Sequence, residues 1–118
     1  MPEDLIAYST TKAAVLTLSR GLAQTTKGTQ ITVNAVMPGS TLSDGAKRFL
    51  SEQATRNNKT EDEVESDFFR NERAASLLGR FASPREIAHA VVYLASPLSS
   101  ATNGAVFKVD GGSVSGIL

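Results

Sequence analysis

Residues 7–16 read AYSTTKAAVL and place a tyrosine and a lysine four positions apart in an apolar helical pattern. Side chains at i and i+4 lie on one face of an α-helix, one turn apart. We expect Tyr8 and Lys12 to be neighbours on a helix from about Leu5 to Lys27, with Gly28 as its left-handed stop. A fixed ammonium beside a phenol favours the ionised form, which suits general acid–base chemistry. A lone YxxxK is more often an ordinary surface pair.

A short β-branched segment follows this helix. Residues 31–37 read ITVNAVM and are followed by a Pro-Gly pair. A mostly apolar run of this length predicts a buried parallel strand. Because ligands bind beyond the carboxyl ends of strands in open α/β sheets, residues 38–43 are predicted to lie at a ligand site. Asn34, inside the strand, needs a hydrogen-bond partner if it is buried, and we assign it a structural role.

Residues 44–78 form a long polar insertion that is predicted to hold two helices. The first is expected over 44–57, capped by its own first residue. The second is expected from Thr60 to about Ala75. Thr60 and Glu63 have the spacing of a capping box, in which each side chain satisfies a backbone N–H at the start of the helix.

A second capping box and a second strand complete the chain. Ser83 and Glu86 flank a proline at the first helical position, where its missing N–H costs nothing, and predict a helix to about Ala95. Gly104–Val109 is predicted to be a strand. Asp110 is expected to fix the glycine turn that follows rather than to take part in chemistry.

Several motifs occur in a characteristic order. They are YxxxK at 8–12, ITVNAVMPG at 31–39, GRFASPREIA at 79–88, TNG at 102–104 and VDGG at 109–112. As a set they resemble the short-chain dehydrogenase/reductase family across nearly the whole chain. The resemblance implies an α/β fold, namely the C-terminal half of a Rossmann-type doubly wound parallel sheet with two strands and about four helices. Residues 1–118 would be the C-terminal portion of such a domain, because the family's glycine-rich loop and catalytic serine and asparagine precede the YxxxK helix.

The resemblance also implies an activity, NAD(P)-dependent oxidoreduction of a small-molecule carbonyl/alcohol pair by hydride transfer. Tyr8 would donate or accept the proton at the substrate oxygen. Lys12 would hold the nicotinamide ribose and favour the phenolate, so both residues would also contact the cofactor. The insertion 44–78 would line the substrate pocket, because such loops carry specificity.

Residues 38–43 read PGSTLS and are similar to the family's PGxVxT segment. Pro38 and Gly39 would bring the backbone to the cofactor. Thr41 takes the place of the residue whose backbone meets the carboxamide, and Ser43 replaces a threonine whose hydroxyl contacts the cofactor. The alternative is a simple Pro-Gly turn with two solvated hydroxyls. The choice between NAD and NADP stays open, because the selecting residue would lie in the other half.

Composition excludes several classes of protein. Twelve basic and twelve acidic residues balance to a net charge of zero, which argues against a nucleic-acid surface. The chain has no cysteine and only one histidine, and this composition argues against a metal site. That residue, His89, is expected to be packed or at the surface rather than a ligand. No apolar run reaches the ~18 residues of a membrane span, and a cytoplasmic protein is expected.

Two functions remain open. The chain could be the C-terminal half of an active NAD(P)-dependent oxidoreductase, inactive when isolated, that acts on either 3-oxoacyl-thioester or small-alcohol substrates. Alternatively, it could be a catalytically silent truncated domain that acts only in oligomerisation. In both cases a homo-oligomer, dimer or tetramer, is expected, built on the first helix, on the strand edge or on both. The first helix is apolar on more than one side, and a short sheet with an open edge invites pairing with a second chain.

Overall fold

The computed structural model describes residues 5–116. Within this range the elements are α1 (Ile6–Thr25), β1 (Ala35–Pro38), α2 (Asp44–Asn57), α3 (Glu61–Asn71), α4 (Pro84–Ala95), a 3-10 helix (Pro97–Ser99) and β2 (Val106–Val109). Four α-helices and a two-stranded parallel sheet confirm the predicted fold class for this part of the chain.

The two strands pair directly in parallel, from the Ala35 N–H, which donates to the Ala105 carbonyl at 2.9 Å, to the Gly39 N–H, which donates to the Val109 carbonyl at 3.0 Å. Both strands are shorter than predicted, and the expected start at Ile31 was wrong. Ile31 is 63% exposed, and β1 is at most half-buried.

Side-chain amides explain the late start of the sheet. Asn34 Nδ2 donates to the Thr102 carbonyl at 2.9 Å, and its Oδ1 accepts from the Ala105 N–H at 3.0 Å. Asn103 Oδ1 accepts from the Val33 N–H at 2.8 Å. These bonds replace ladder bonds, so the segment is paired without being regular strand. The structural role predicted for Asn34 is confirmed.

The described residues form two compact units, 5–36 with 91–107 and 37–90 with 108–116. In the first unit α1 ends at Thr25, two residues before the predicted end. Gly28 adopts a φ of +80°, which confirms the predicted left-handed stop.

The second unit contains the buried hydrophobic cluster. Its buried members are Leu50, Val64, Phe69 and Phe81. The Phe69 and Phe81 rings meet edge to face with centroids 5.1 Å apart. Such an aromatic pair contributes about 0.5–1.5 kcal/mol beyond its buried area. Helices α2 and α3 thus pack around a core of their own.

Helix boundaries in this unit largely follow the sequence signals. Thr60 and Glu63 form the predicted capping box in full. The cap of α2 is Ser43 rather than the predicted Asp44, because the Ser43 hydroxyl accepts from the Ala46 N–H at 3.3 Å. Helix α3 ends at Asn71, four residues before the predicted Ala75.

Candidate functional site

The YxxxK pair lies near the start of α1. Lys12 Nζ lies 5.4 Å from the centroid of the Tyr8 ring, as expected for residues one turn apart. A cation at this distance from a ring is within the range of cation–π attraction. The Tyr8 side chain is 60% exposed and Lys12 is also exposed. The prediction that both side chains share one helix face is confirmed, and both are open to solvent.

Threonine hydroxyls bond to the backbone around this pair. Leu5 occupies the N-cap position of helix α1 and makes no side-chain cap. Thr10 Oγ1 donates to the Ile6 carbonyl at 2.8 Å, and Thr11 Oγ1 donates to the Tyr8 carbonyl at 2.7 Å. These bonds direct the Thr10 and Thr11 hydroxyl protons to the backbone of α1 rather than to Tyr8 or Lys12.

The segment 38–43 begins with a close approach of two backbones. A β-carbon on Gly39 would lie 2.6 Å from the Asp110 carbonyl oxygen, closer than real side chains come. Asp110 is held in turn, because its Oδ1 accepts from the Gly112 N–H at 3.0 Å and its Oδ2 from the Val114 N–H at 3.1 Å. The predicted role of Asp110 in fixing the turn is confirmed, and only glycine fits at position 39.

Thr41 and Ser43 are positioned by neighbouring backbone. Thr41 bridges in parallel to Ala82, with the Leu42 N–H donating to the Ala82 carbonyl at 2.8 Å and the Ala82 N–H to the Ser40 carbonyl at 2.9 Å. These bonds skip Thr41 itself, and within residues 5–116 its N–H has no hydrogen-bond acceptor. Ser43 Oγ acts as an acceptor in capping α2, which leaves its proton available to a ligand.

A family model described as enoyl-(acyl carrier protein) reductase matches residues 1–114. The chain belongs to the short-chain dehydrogenase/reductase family. Over 112 residues it is 46% identical to the uncharacterized oxidoreductase YvaG of Bacillus subtilis, covering 95% of this chain and 42% of YvaG. It is 35% identical over 108 residues to 2-(S)-hydroxypropyl-CoM dehydrogenase 3 of Xanthobacter autotrophicus, covering 92% of this chain and 39% of that protein.

The fold of the chain is also similar to that of a solved structure from the same family. L-sorbose reductase from Gluconobacter frateurii, complexed with NADPH and L-sorbose, superposes with a TM-score of 0.80 at 28% identity. The match covers 93% of this chain and 41% of the reductase. The chain therefore spans about two-fifths of the length of the relatives it matches.

The candidate site residues of the present chain fall in both of its compact units. Tyr8 and Lys12 belong to the first unit, and Pro38, Gly39, Thr41 and Ser43 to the second. Each set is brought together within its own unit. That Tyr8 and Lys12 face the segment 38–43 stays a prediction. His89 is exposed, in line with its predicted surface role.

Sequence reasoning missed an ion pair between residues on either side of Ala82, the bridge partner of Thr41. Arg80 donates to Glu86 through Nη1 at 3.0 Å and Nη2 at 2.9 Å. Hydrogen bonds from Arg80, and then from the Ser83 backbone, lower the pKa of Glu86 to about 2. An arginine three residues before the Ser83 capping box was the available signal.

Two classes of site receive no support from the described residues. Between residues 5 and 116, no helix is long and apolar enough to cross a bilayer. The same residues contain no cluster of three or more side chains suited to hold a metal ion.

Proposed function

We propose that this chain supplies the acid–base pair and part of the cofactor site of an NAD(P)-dependent oxidoreductase that interconverts small carbonyl compounds and alcohols. The observation that carries the proposal is the Lys12 ammonium beside an exposed Tyr8 phenol at the position of the family's motif. Relatives named for reduction or dehydrogenation support it, including galactitol 2-dehydrogenase, 32% identical over 111 residues.

The proton is moved by Tyr8 in this proposal. In reduction the Tyr8 hydroxyl donates its proton to the carbonyl oxygen of the substrate, and in oxidation the phenolate accepts the proton of the alcohol. Lys12 stabilises the phenolate electrostatically and holds the nicotinamide ribose. The bound nicotinamide supplies or accepts the hydride, which is chemistry that belongs to the cofactor.

The segment 38–43 fits a nicotinamide cofactor on two observations. The Thr41 N–H is without an acceptor among the described residues, as a carboxamide ligand requires. The Ser43 hydroxyl keeps a proton to donate while its oxygen caps α2. The close packing of Gly39 on Asp110 holds the backbone at the start of this segment. We propose Pro38, Gly39, Thr41 and Ser43 as the cofactor segment.

Cofactor choice and substrate are proposed at the level of chemical class. Several solved relatives are described as NADPH-bound or NADPH-dependent, and both NAD and NADP remain candidates here. Two relatives, 3-oxoacyl-[acyl-carrier-protein] reductase and L-sorbose reductase, are named for very different substrates that both carry a carbonyl group, and this supports a carbonyl/alcohol pair. We propose that the insertion 44–78 lines the substrate pocket.

The test uses a polypeptide in which this chain follows the N-terminal part of YvaG, whose matching region is 46% identical. Tyr8→Phe should abolish carbonyl-dependent oxidation of NADH and NADPH and leave cofactor binding nearly unchanged. Tyr93→Phe is the matched control, because Tyr93 lies in a different part of the first unit. Its ring packs against that of Phe107, with the ring centroids 6.1 Å apart. Full activity of the Tyr8→Phe variant would overturn the proposal.

We also propose that these 118 residues are inactive alone and form a homo-oligomer, dimer or tetramer, through α1. Exposed apolar side chains on α1 support this: Val15 at 55%, Leu18 at 63% and Leu22 at 48%. Size exclusion with light scattering should give a multiple of 12.4 kDa, and Leu18→Lys should lower it. A silent oligomerisation domain is the alternative, and one relative is named an inactive dehydrogenase. Assembly without turnover in the chimera would favour it.

A further inference from the structure

A cavity of about 340 Å³ opens beside the proposed cofactor segment, within the second unit. It is lined by Gly39, Ser40, Arg73 and Ser113. The proposed function uses only Gly39 of these four. The other three bring a guanidinium and two hydroxyls to one small space. The proposed function gives these three residues no role.

Arg73 is held in place by its surroundings. Its Nη1 donates to the Glu72 carbonyl at 2.9 Å, and its guanidinium carbon lies 5.4 Å from the centroid of the Phe68 ring. Its backbone N–H donates to the Phe68 carbonyl at 3.1 Å, and its carbonyl accepts from the Ser76 N–H at 2.9 Å. A guanidinium fixed in this way loses less freedom when it binds a ligand.

The charge of Arg73 is not matched by a neighbouring acid. Arg70 is paired with Asp67 at 3.3 Å and Arg80 with Glu86 at 2.9 Å, whereas Arg73 has no carboxylate partner among residues 5–116. Asp110 lies next to Gly39, but both of its carboxylate oxygens accept backbone N–H groups. The remaining guanidinium donors are therefore available to a ligand.

Ser40 adds further donors to the cavity. Within the described residues neither its N–H nor its hydroxyl has a hydrogen-bond partner, while its carbonyl is occupied by Ala82. Ser113 differs, because its hydroxyl donates to the Asp110 carbonyl at 2.7 Å and offers only an acceptor. The cavity thus presents one cation and several unused donors, the complement of an oxyanion.

We propose that this cavity binds an oxyanion, such as a carboxylate, phosphate or sulfonate group of a ligand, through the fork of Arg73 and the donors of Ser40. The identity of the ligand rests on the proposed function. Beside the cofactor segment, the oxyanion is either a phosphate of the nicotinamide cofactor or an acidic group on the carbonyl substrate.

The experiment titrates the ¹⁵N-labelled chain with inorganic phosphate and follows the Ser40 amide and Arg73 Nε–H signals by NMR. Both should shift saturably. Arg73→Met should weaken phosphate binding about tenfold or more, the loss expected for a charge-assisted bidentate contact. Arg73→Lys keeps the charge without the two-pronged donor geometry, and its phosphate affinity should lie between those of the wild type and Arg73→Met. Arg70→Met is the matched control, and circular dichroism checks that each variant folds.

Competition then identifies the ligand. Displacement of phosphate by NADPH indicates the cofactor, and displacement by 3-oxobutanoate but not by 2-butanone indicates an acidic substrate; either result supports the site. Unsaturable shifts, or equal affinity in wild type and Arg73→Met, would overturn it. The failure of the site is distinct from that of the proposed function, because loss of turnover in Tyr8→Phe is measured without phosphate.

Discussion

Helix α1 and the α2–α3 pair solve the burial of apolar residues in different ways. Over its 20 residues α1 buries only Ala23. The shorter α2 and α3 contribute Leu50, Val64 and Phe69 to one cluster. The proposed acid–base pair thus lies on the helix with the less covered surface, and the proposed substrate-loop insertion carries its own core.

The α2–α3 pair is stabilised by contacts within its own unit, whereas α1 has few stabilising contacts of that kind. The α2–α3 pair is defined by caps and aromatic contacts that all lie within the second unit. Helix α1 has no side-chain cap at its start and no buried large apolar side chain. Because most helical stability in proteins comes from packing an apolar face, α1 depends on whatever covers Val15, Leu18 and Leu22.

The largest expected effect tests where the core lies. Phe69→Ala should destabilise the chain by about 3–5 kcal/mol, because Phe69 is 6% exposed and its ring contacts those of Phe68 and Phe81. Leu18→Ala on α1, 63% exposed, should change stability by no more than about 0.5 kcal/mol in the monomer. Urea denaturation measures both. Equal losses would show that α1 is as well covered as the cluster.

Alanine substitutions at two glycines should have smaller effects on stability, and the two effects should have opposite signs. Gly39→Ala should destabilise by about 1–3 kcal/mol, because the new β-carbon would meet the Asp110 backbone at 2.6 Å. Gly21→Ala, inside α1 with open space around it, should stabilise by about 0.5–1 kcal/mol. Thermal unfolding of both variants is the measurement. A tolerated Gly39→Ala would remove the backbone contact as the reason for glycine there.

The sequence predicted those features that depend on near neighbours in the chain. These features are both capping boxes, the glycine stop at Gly28 and the Tyr8–Lys12 contact. Each involves residues no more than four positions apart, and all are confirmed. The strands were predicted too long, because the bonds that replace the ladder come from Asn34 and from Asn103, about seventy positions away.

The candidate site was predicted to a similar extent. The motif identified Tyr8, Lys12 and the 38–43 segment, but it could not show that Ser43 also caps α2 or that Thr41 bridges to Ala82. Arg73 belongs to no motif, and only folding brings it beside Ser40. Contacts of this kind depend on packing between distant segments, which local periodicity does not contain.

The smallest expected effect concerns acid and the Arg80–Glu86 pair, for which α1 has no counterpart because its first turn holds no acidic residue. Arg80 and then Ser83 lower the pKa of Glu86 from 4.5 to about 2. A lowered pKa contributes stability that is complete above pH 4.5 and is lost as the pH falls towards 2. Both side chains are about half exposed, at 50% and 43%, so solvent screens the pair and the effect should be small.

Glu86→Gln should therefore lower the unfolding midpoint at pH 6 and flatten its dependence on pH between about 5 and 2, since one titrating group is removed. Glu52→Gln is the control, because Glu52 is an exposed side chain of α2 without an ion pair among the described residues. Urea midpoints across this pH range, at low salt and at 1 M NaCl, decide the matter. The difference between wild type and Glu86→Gln should shrink in high salt and be largely lost as the pH falls to about 2. A difference that persists there would mean that Glu86 acts through packing, and the acid sensitivity of the second unit would need another source.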